Sequence, residues 1–212
     1  MFPIPASIPT LICALLLSVL GTPLLLWATR LSPRKAGWRW TGWRGLAVGS
    51  AWGCLLAVFG VAWLFFLLHT GNYLPIAVVP TALDWFLLVM LLPVAEEAFF
   101  RGAIFGGLQR SWRPFWAVIL SAMLYVVAHA AEPWLAFVFL NGIGYAYAFR
   151  QSGSVVSPML AHILAVGTVL IARVYPEALM HLSPFWLAGA GSIALLAVFF
   201  VGKIRHAVRC SP

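Results

Sequence analysis

Long apolar runs, punctuated by proline, glycine and short basic stretches, occupy most of the chain. Seven such runs, near residues 4–29, 46–69, 82–109, 115–131, 133–149, 155–173 and 184–202, are long enough to be read as helices. A run of ~17–25 apolar residues matches the ~30 Å hydrocarbon layer of a bilayer, where backbone polar groups must be satisfied internally. The runs show no two-residue alternation, which argues against a β-barrel. The pattern predicts an all-α, polytopic transmembrane bundle of about seven spans. Short runs at 133–149 and 155–173, and the abutment of 115–131 on its neighbour, leave six to eight open.

Composition agrees with this solvent. Of 212 residues, 63% are hydrophobic and 8% charged, with mean hydropathy +0.99, whereas soluble domains are about a quarter charged. The expected organisation is an N-terminal membrane segment with a basic loop (1–81), a helical core (82–173), and a last span with a basic tail (174–212).

The net charge of +8 reads mostly as topology. Arg30, Arg34, Lys35, Arg39 and Arg44 follow span one, Arg110 and Arg113 span three, Arg150 span five, and Lys203, Arg205 and Arg209 the last span. These eleven of thirteen basic residues fall on one face; Arg101 lies within a span and Arg173 on the opposite face. Positive loops collect in the cytosol, so the N-terminus is expected outside and the C-terminus in the cytosol. The first run has no basic residue before Arg30 and is read as a retained anchor rather than a cleaved signal. A multi-pass protein of a bacterial inner membrane is the expectation, with membrane lipid as a partner. The basic loops offer no soluble surface for nucleic acid. Cys13, Cys54 and Cys210 lack metal-ligand spacing, and Cys210, third from the end, is not placed as a prenylation acceptor.

The five acidic residues carry the chemistry. Asp84, Glu132 and Glu177 sit at span ends, where water or headgroups solvate them, but Glu96 and Glu97 are adjacent in mid-span. An uncompensated charge there costs at least ~2.5–3.5 kcal/mol. Arg101, four residues after Glu97, lies on the same helical face and can form a charge-assisted, bidentate pair with it. Glu96, rotated by ~100°, is left without a partner on that helix.

The next run carries Ser121, Tyr125 and His129 at a spacing of four, one polar stripe on an apolar helix. Glu97 and His129 lie thirteen and sixteen residues from Arg110 and Arg113 respectively, so both fall ~20–24 Å from the same turn. His162 can join them if its helix begins near Pro158. His69, His181 and His206 read as interfacial. Asn141 and Tyr145 form another four-spaced polar pair that can simply bridge helices, and Gly49-x-x-x-Gly53 and Gly102-x-x-x-Gly106 read as close helix packing. The stretch Gly37-Trp38-Arg39-Trp40-Thr41-Gly42-Trp43 reads as an interfacial aromatic belt. Carboxylates, an arginine and imidazoles converging in a bundle could activate water and bind an oxyanion, and hydrolysis is the simplest chemistry for them. A proton-coupled carrier, or a non-catalytic scaffold that keeps the cluster for folding, is the alternative.

Three motifs resemble a known family. Glu96-Glu97-Ala98-Phe99-Phe100-Arg101, Tyr125-Val126-Val127-Ala128-His129 and the glycine-led approach from Gly153 through Pro158 to His162 are similar, in order and spacing, to the CAAX-protease and bacteriocin-processing intramembrane proteases. The resemblance covers roughly residues 82–170. It implies a glutamic-type endopeptidase in which Glu96 and His129 activate water, His162 stabilises the oxyanion, and Glu97 and Arg101 orient the site. The substrate would be a membrane-anchored protein or peptide, C-terminally lipidated or carrying a sorting signal, and a non-catalytic relative such as a bacteriocin self-immunity factor is the alternative within the family. No metal or other cofactor is implied, although a Glu/His cluster can in principle hold zinc. One position departs from the pattern: Val166 stands where the family often has an asparagine that donates to the oxyanion. Asn141 and Tyr125 are the candidate oxyanion or supporting groups in its place.

Overall fold

The computed structural model describes residues 8–71, 80–130 and 134–209; Glu132 and Cys210 lie outside these. The described residues are helical, without strands. They form α1 (Ile8–Ala28), α2 (Gly42–His69), α3 (82–111), α4 (Pro114–Ala128), α5 (Leu135–Ser152), α6 (Val156–Val174), the short α7 (Pro176–Met180) and α8 (Pro184–Arg209). Each apolar run of the sequence corresponds to one long helix. By length and hydropathy, Gly42–His69, Val156–Val174 and Pro184–Gly202 suffice to cross a membrane, and Ser18–Ala28 and Pro114–Ala128 are shorter apolar stretches. The protein is a helical membrane bundle, and its large exposed apolar side chains, such as Leu24, Val127 and Ile193, are what a lipid-facing surface requires.

The third helix is not the uniform α-helix that its pattern predicts. A capping box between Thr81 and Asp84 starts it. Two π-helical stretches, Phe86–Leu91 and Ala98–Phe105, then interrupt it. The first has a clear cause in the fully buried Pro93, which has no N–H to give and whose ring crowds the carbonyl four residues back. Widening the preceding turn relieves both. The second π stretch contains Arg101.

The core centres on α6. Its neighbour α2 approaches closely because glycines face it: a Cβ on Gly49 would stand 2.7 Å from the Ser157 carbonyl oxygen, and one on Gly53 2.9 Å from Leu164 Cβ. Ser157 also donates to the Gly45 carbonyl at 2.7 Å. The expected close packing at Gly49 and Gly53 is therefore made, and it seats the turn of α6 that bears His162.

Gly102 and Gly106 serve a different neighbour from the helix expected. A Cβ on Gly102 would lie 2.9 Å from the Trp38 indole nitrogen, and one on Gly106 3.4 Å from Ala36 Cα. The α1–α2 connection is thus wedged onto α3. It is tied on its far side to the α5–α6 turn: Val155 N–H donates to the Gly37 carbonyl (3.0 Å), Arg39 Nε to the Gly153 carbonyl (2.9 Å) and Ser154 Oγ to the Arg39 carbonyl (2.6 Å). Gly153 ends α5 in the left-handed region (φ 72°), which explains the glycine that leads the third motif. Trp38, Trp40 and Trp43 are all exposed, Trp38 least, as an interfacial belt requires.

Candidate functional site

The five principal site residues converge from three helices. Glu96, Glu97 and Arg101 come from α3, His129 from the residue that ends α4, and His162 from α6. All but His129 are buried, and His129 remains about a quarter exposed (24% of its side chain).

Glu97 is the hub of one half. Its Oε1 accepts from Arg101 Nη1 at 3.0 Å and meets His162 Nδ1 at 3.0 Å. Arg101 is single-pronged on Glu97 rather than bidentate, because its second prong, Nη2, donates to the Gly142 carbonyl of α5 at 3.0 Å. Residue 142 has to be small for this: a Cβ there would stand 3.2 Å from Ala122 Cα and 3.3 Å from the Tyr125 ring. The guanidinium also lies against the rings of Tyr125 and Tyr145, which are perpendicular to each other, at 4.7 and 5.2 Å from their centres, a desolvated cation–π arrangement. Tyr145 in turn stacks on His162, with ring centres 4.5 Å apart and planes 21° apart.

Glu96 forms the other half with partners that its own helix could not supply. His129 Nε2 stands 3.5 Å from its Oε1, and Tyr125 Oη donates to its Oε2 at 3.4 Å. The His129 ring is steered by its Nδ1, 2.9 Å from the Tyr125 carbonyl oxygen, so that Nε2 faces the carboxylate. Tyr125 Oη is also 3.4 Å from His162 Nε2. This hydroxyl therefore joins the two halves, giving the chain Arg101, Glu97, His162, Tyr125, Glu96, His129.

The two candidate oxyanion or supporting groups separate. Tyr125 is at the centre of the cluster, whereas Asn141 donates its amide to the Phe137 carbonyl of its own helix (3.1 Å) and keeps a buried Oδ1 without a hydrogen-bond partner among the described residues. Ser121 is fully buried with its hydroxyl likewise unpartnered. Sequence reasoning underestimated Tyr145 and missed Gly142, which contributes only backbone; the signal for Tyr145 was its four-residue spacing from Asn141. Among the described residues no three His, Cys, Asp or Glu side chains are disposed around a common metal position. What the arrangement can do is hold one carboxylate rigidly beside a cation and present a second, next to an imidazole, at the accessible edge.

Comparison with known proteins bears on the same segment. Residues 78–168 match the family described as type II CAAX prenyl endopeptidase Rce1-like. The Bacillus subtilis (strain 168) protein named "Putative membrane peptidase YdiL" is 27% identical over 84 residues, which span 40% of this chain and 34% of that relative. These findings support the CAAX-protease and bacteriocin-processing family. The chain spans about a third of the length of that curated relative, and the family match at residues 78–168 contains Glu96, Glu97, Arg101, His129 and His162. No solved structure matches the chain.

Proposed function

We propose that this chain is an intramembrane endopeptidase of the glutamic type, hydrolysing a peptide bond in a membrane-associated protein. The observation that carries the reading is the Glu96–His129 pair, 3.5 Å apart, where the partly exposed His129 borders a cluster whose other principal residues are buried. An ion pair kept only for folding has no need of the second carboxylate, and a carboxylate–imidazole pair open to its surroundings is what water activation requires.

In the reaction, the Glu96 carboxylate takes a proton from a water bound against both it and His129. The resulting hydroxide adds to the scissile carbonyl carbon, and the carbonyl π pair moves onto oxygen. His162, held by Glu97 and Tyr145, stabilises the developing charge when its ring is protonated. Collapse re-forms the carbonyl and breaks the C–N bond, and the leaving nitrogen takes the proton that Glu96 acquired. Glu97 and Arg101 touch none of these atoms and keep His162 and α3 in register. The scheme uses no metal.

The family description supports a membrane-anchored substrate, lipidated near its C-terminus or carrying a sorting signal. The charge asymmetry supports a multi-pass arrangement of seven spans in a bacterial inner membrane, with the N-terminus outside and the C-terminus in the cytosol. A second reading, a non-catalytic relative acting in immunity or as a scaffold, is favoured by Val166, which offers no donor where the family often has one.

The test is cleavage of a membrane-tethered peptide library by the full chain in proteoliposomes, read by mass spectrometry. The parent is expected to cleave with or without chelator, and Glu96→Gln and His129→Ala to lose cleavage while remaining folded. Chelator-sensitive cleavage would replace the glutamic scheme by a metal-dependent one. Undiminished cleavage by Glu96→Gln would remove Glu96 from the chemistry, and a folded, inactive parent would favour the non-catalytic reading.

A further inference from the structure

We infer that the Tyr125 hydroxyl is a catalytic donor to the oxyanion, supplying the hydrogen bond that Val166 cannot and that Asn141 is not placed to give; this role rests on the peptidase reading above.

A tetrahedral oxyanion generated by attack from the Glu96–His129 edge needs preorganised donors on the side toward His162. Arg101 gives Nη1 to Glu97 and Nη2 to the Gly142 carbonyl, and its remaining donor, Nε, is fully enclosed. The Asn141 amide is bonded within its own helix. Val166 has no donor. His162 has its Nδ1 on the Glu97 carboxylate at 3.0 Å, which favours the tautomer with the proton on Nδ1. Its Nε2 is then a lone pair while the ring is neutral, and it donates only once the ring is protonated.

Tyr125 has no such restriction. Its hydroxyl lies between the water-activating carboxylate and His162 Nε2, 3.4 Å from each, and donates to that carboxylate. One proton serves one acceptor at a time, and at 3.4 Å the bond to Glu96 is weak, so the hydroxyl gives up little by turning to a charged acceptor that arrives beside it. The ring cannot wander while it does so. It packs edge-on against Phe100 (5.2 Å) and Tyr145 (6.2 Å), and the Arg101 guanidinium lies 4.7 Å from its centre. A rigid donor with a soft ground-state commitment is the form that transition-state stabilisation takes, since the bond strengthens only as charge develops.

The test uses the proteoliposome assay with the parent, Glu96→Gln, Tyr125→Phe and Asn141→Ala, and with 3-fluorotyrosine installed at position 125. Tyr125→Phe keeps the ring and every aromatic contact. It is expected to lower kcat by ~10²–10³, the usual loss for one oxyanion donor, with KM changed less than about threefold. It should weaken a peptide aldehyde of the cleaved sequence, whose hydrate mimics the tetrahedral species, by a similar factor. Fluorotyrosine, which keeps the O–H, and Asn141→Ala should both stay within several-fold of the parent. If the parent cleaves in a Glu96-dependent manner and Tyr125→Phe retains its kcat, the donor role is overturned and the peptidase reading stands. A loss that appears instead in Asn141→Ala, or equally in fluorotyrosine and Phe, also overturns the role. A parent that does not cleave, or a Glu96→Gln that cleaves as the parent does, overturns both.

Discussion

Tyr145 lies flat against His162, its ring centre 4.5 Å away and the planes within 21° of parallel. The imidazole is thereby fixed in rotation as well as in position, because Glu97 holds its Nδ1 and Tyr145 holds its face. Stacked aromatic pairs contribute ~0.5–1.5 kcal/mol beyond area burial. Tyr145→Leu should therefore lower kcat/KM for peptide cleavage by about three- to tenfold, and Tyr145→Phe, which keeps the stack, should stay near the parent. Equal losses in both variants would mean that the hydroxyl, not the ring face, is what matters.

Arg101 is fully buried and is the nearest compensating cation to Glu97. Arg101→Met removes it and leaves a carboxylate in an apolar interior, a change that typically costs ~3–5 kcal/mol. The expected result is a large fall in the melting temperature of the detergent-solubilised protein. Arg101→Lys should recover only part of it, because an ammonium cannot reach both Glu97 and the Gly142 carbonyl as the fork does. An unchanged melting temperature in Arg101→Met would show that Glu97 is neutralised in some other way.

At Gly53 a side chain would meet the backbone of Ala161, the residue before His162, with Cβ 3.1 Å from its Cα. Gly53→Leu should force α2 and α6 apart, costing ~1–3 kcal/mol and displacing His162, so that stability and cleavage fall together. Gly107→Ala is the matched control. A Cβ there has open space, and alanine favours the helix by ~1 kcal/mol. Thermal unfolding of the two variants side by side checks the contrast.

The turn that binds the α1–α2 connection depends on Gly153 at φ 72°. Gly153→Ala places a methyl group in the left-handed region, at a cost of ~1–2 kcal/mol, and directs it at the Arg39 guanidinium. Limited proteolysis is expected to cut near residues 36–39 faster in this variant than in the parent. Equal rates would mean that the connection is held without the turn.

How legible these features were in the chain differs by residue. The Glu97–Arg101 pair was readable because both partners sit on one helix four residues apart, and the level of His129 was readable because helix rise converts residue counts into depth. The environment of Glu96 was not readable: its partners come from α4, and no periodicity within α3 reports which neighbour it faces. The π stretches escaped for a related reason, since apolar spacing assumes a constant turn and Pro93 relieves its clash by widening one. Gly142 serves through a carbonyl oxygen that every residue possesses, so nothing in its type distinguishes it. Gly102 was recognised as a close approach, but a glycine on a helix does not record whether the approaching object is another helix or, as here, the Trp38 indole.

The wedge of residues 36–39 between α3 and the α5–α6 turn has a practical corollary. The region of family similarity begins at residue 78, yet both the wedge and the glycine-bearing face of α2 that seats His162 come from before it. A graft of residues 78–168 alone into a related protein would carry every ionisable member of the cluster and none of its buttress. Chimaeras should therefore be cut before Ala36, so that the donor's own connection travels with the chemistry it braces.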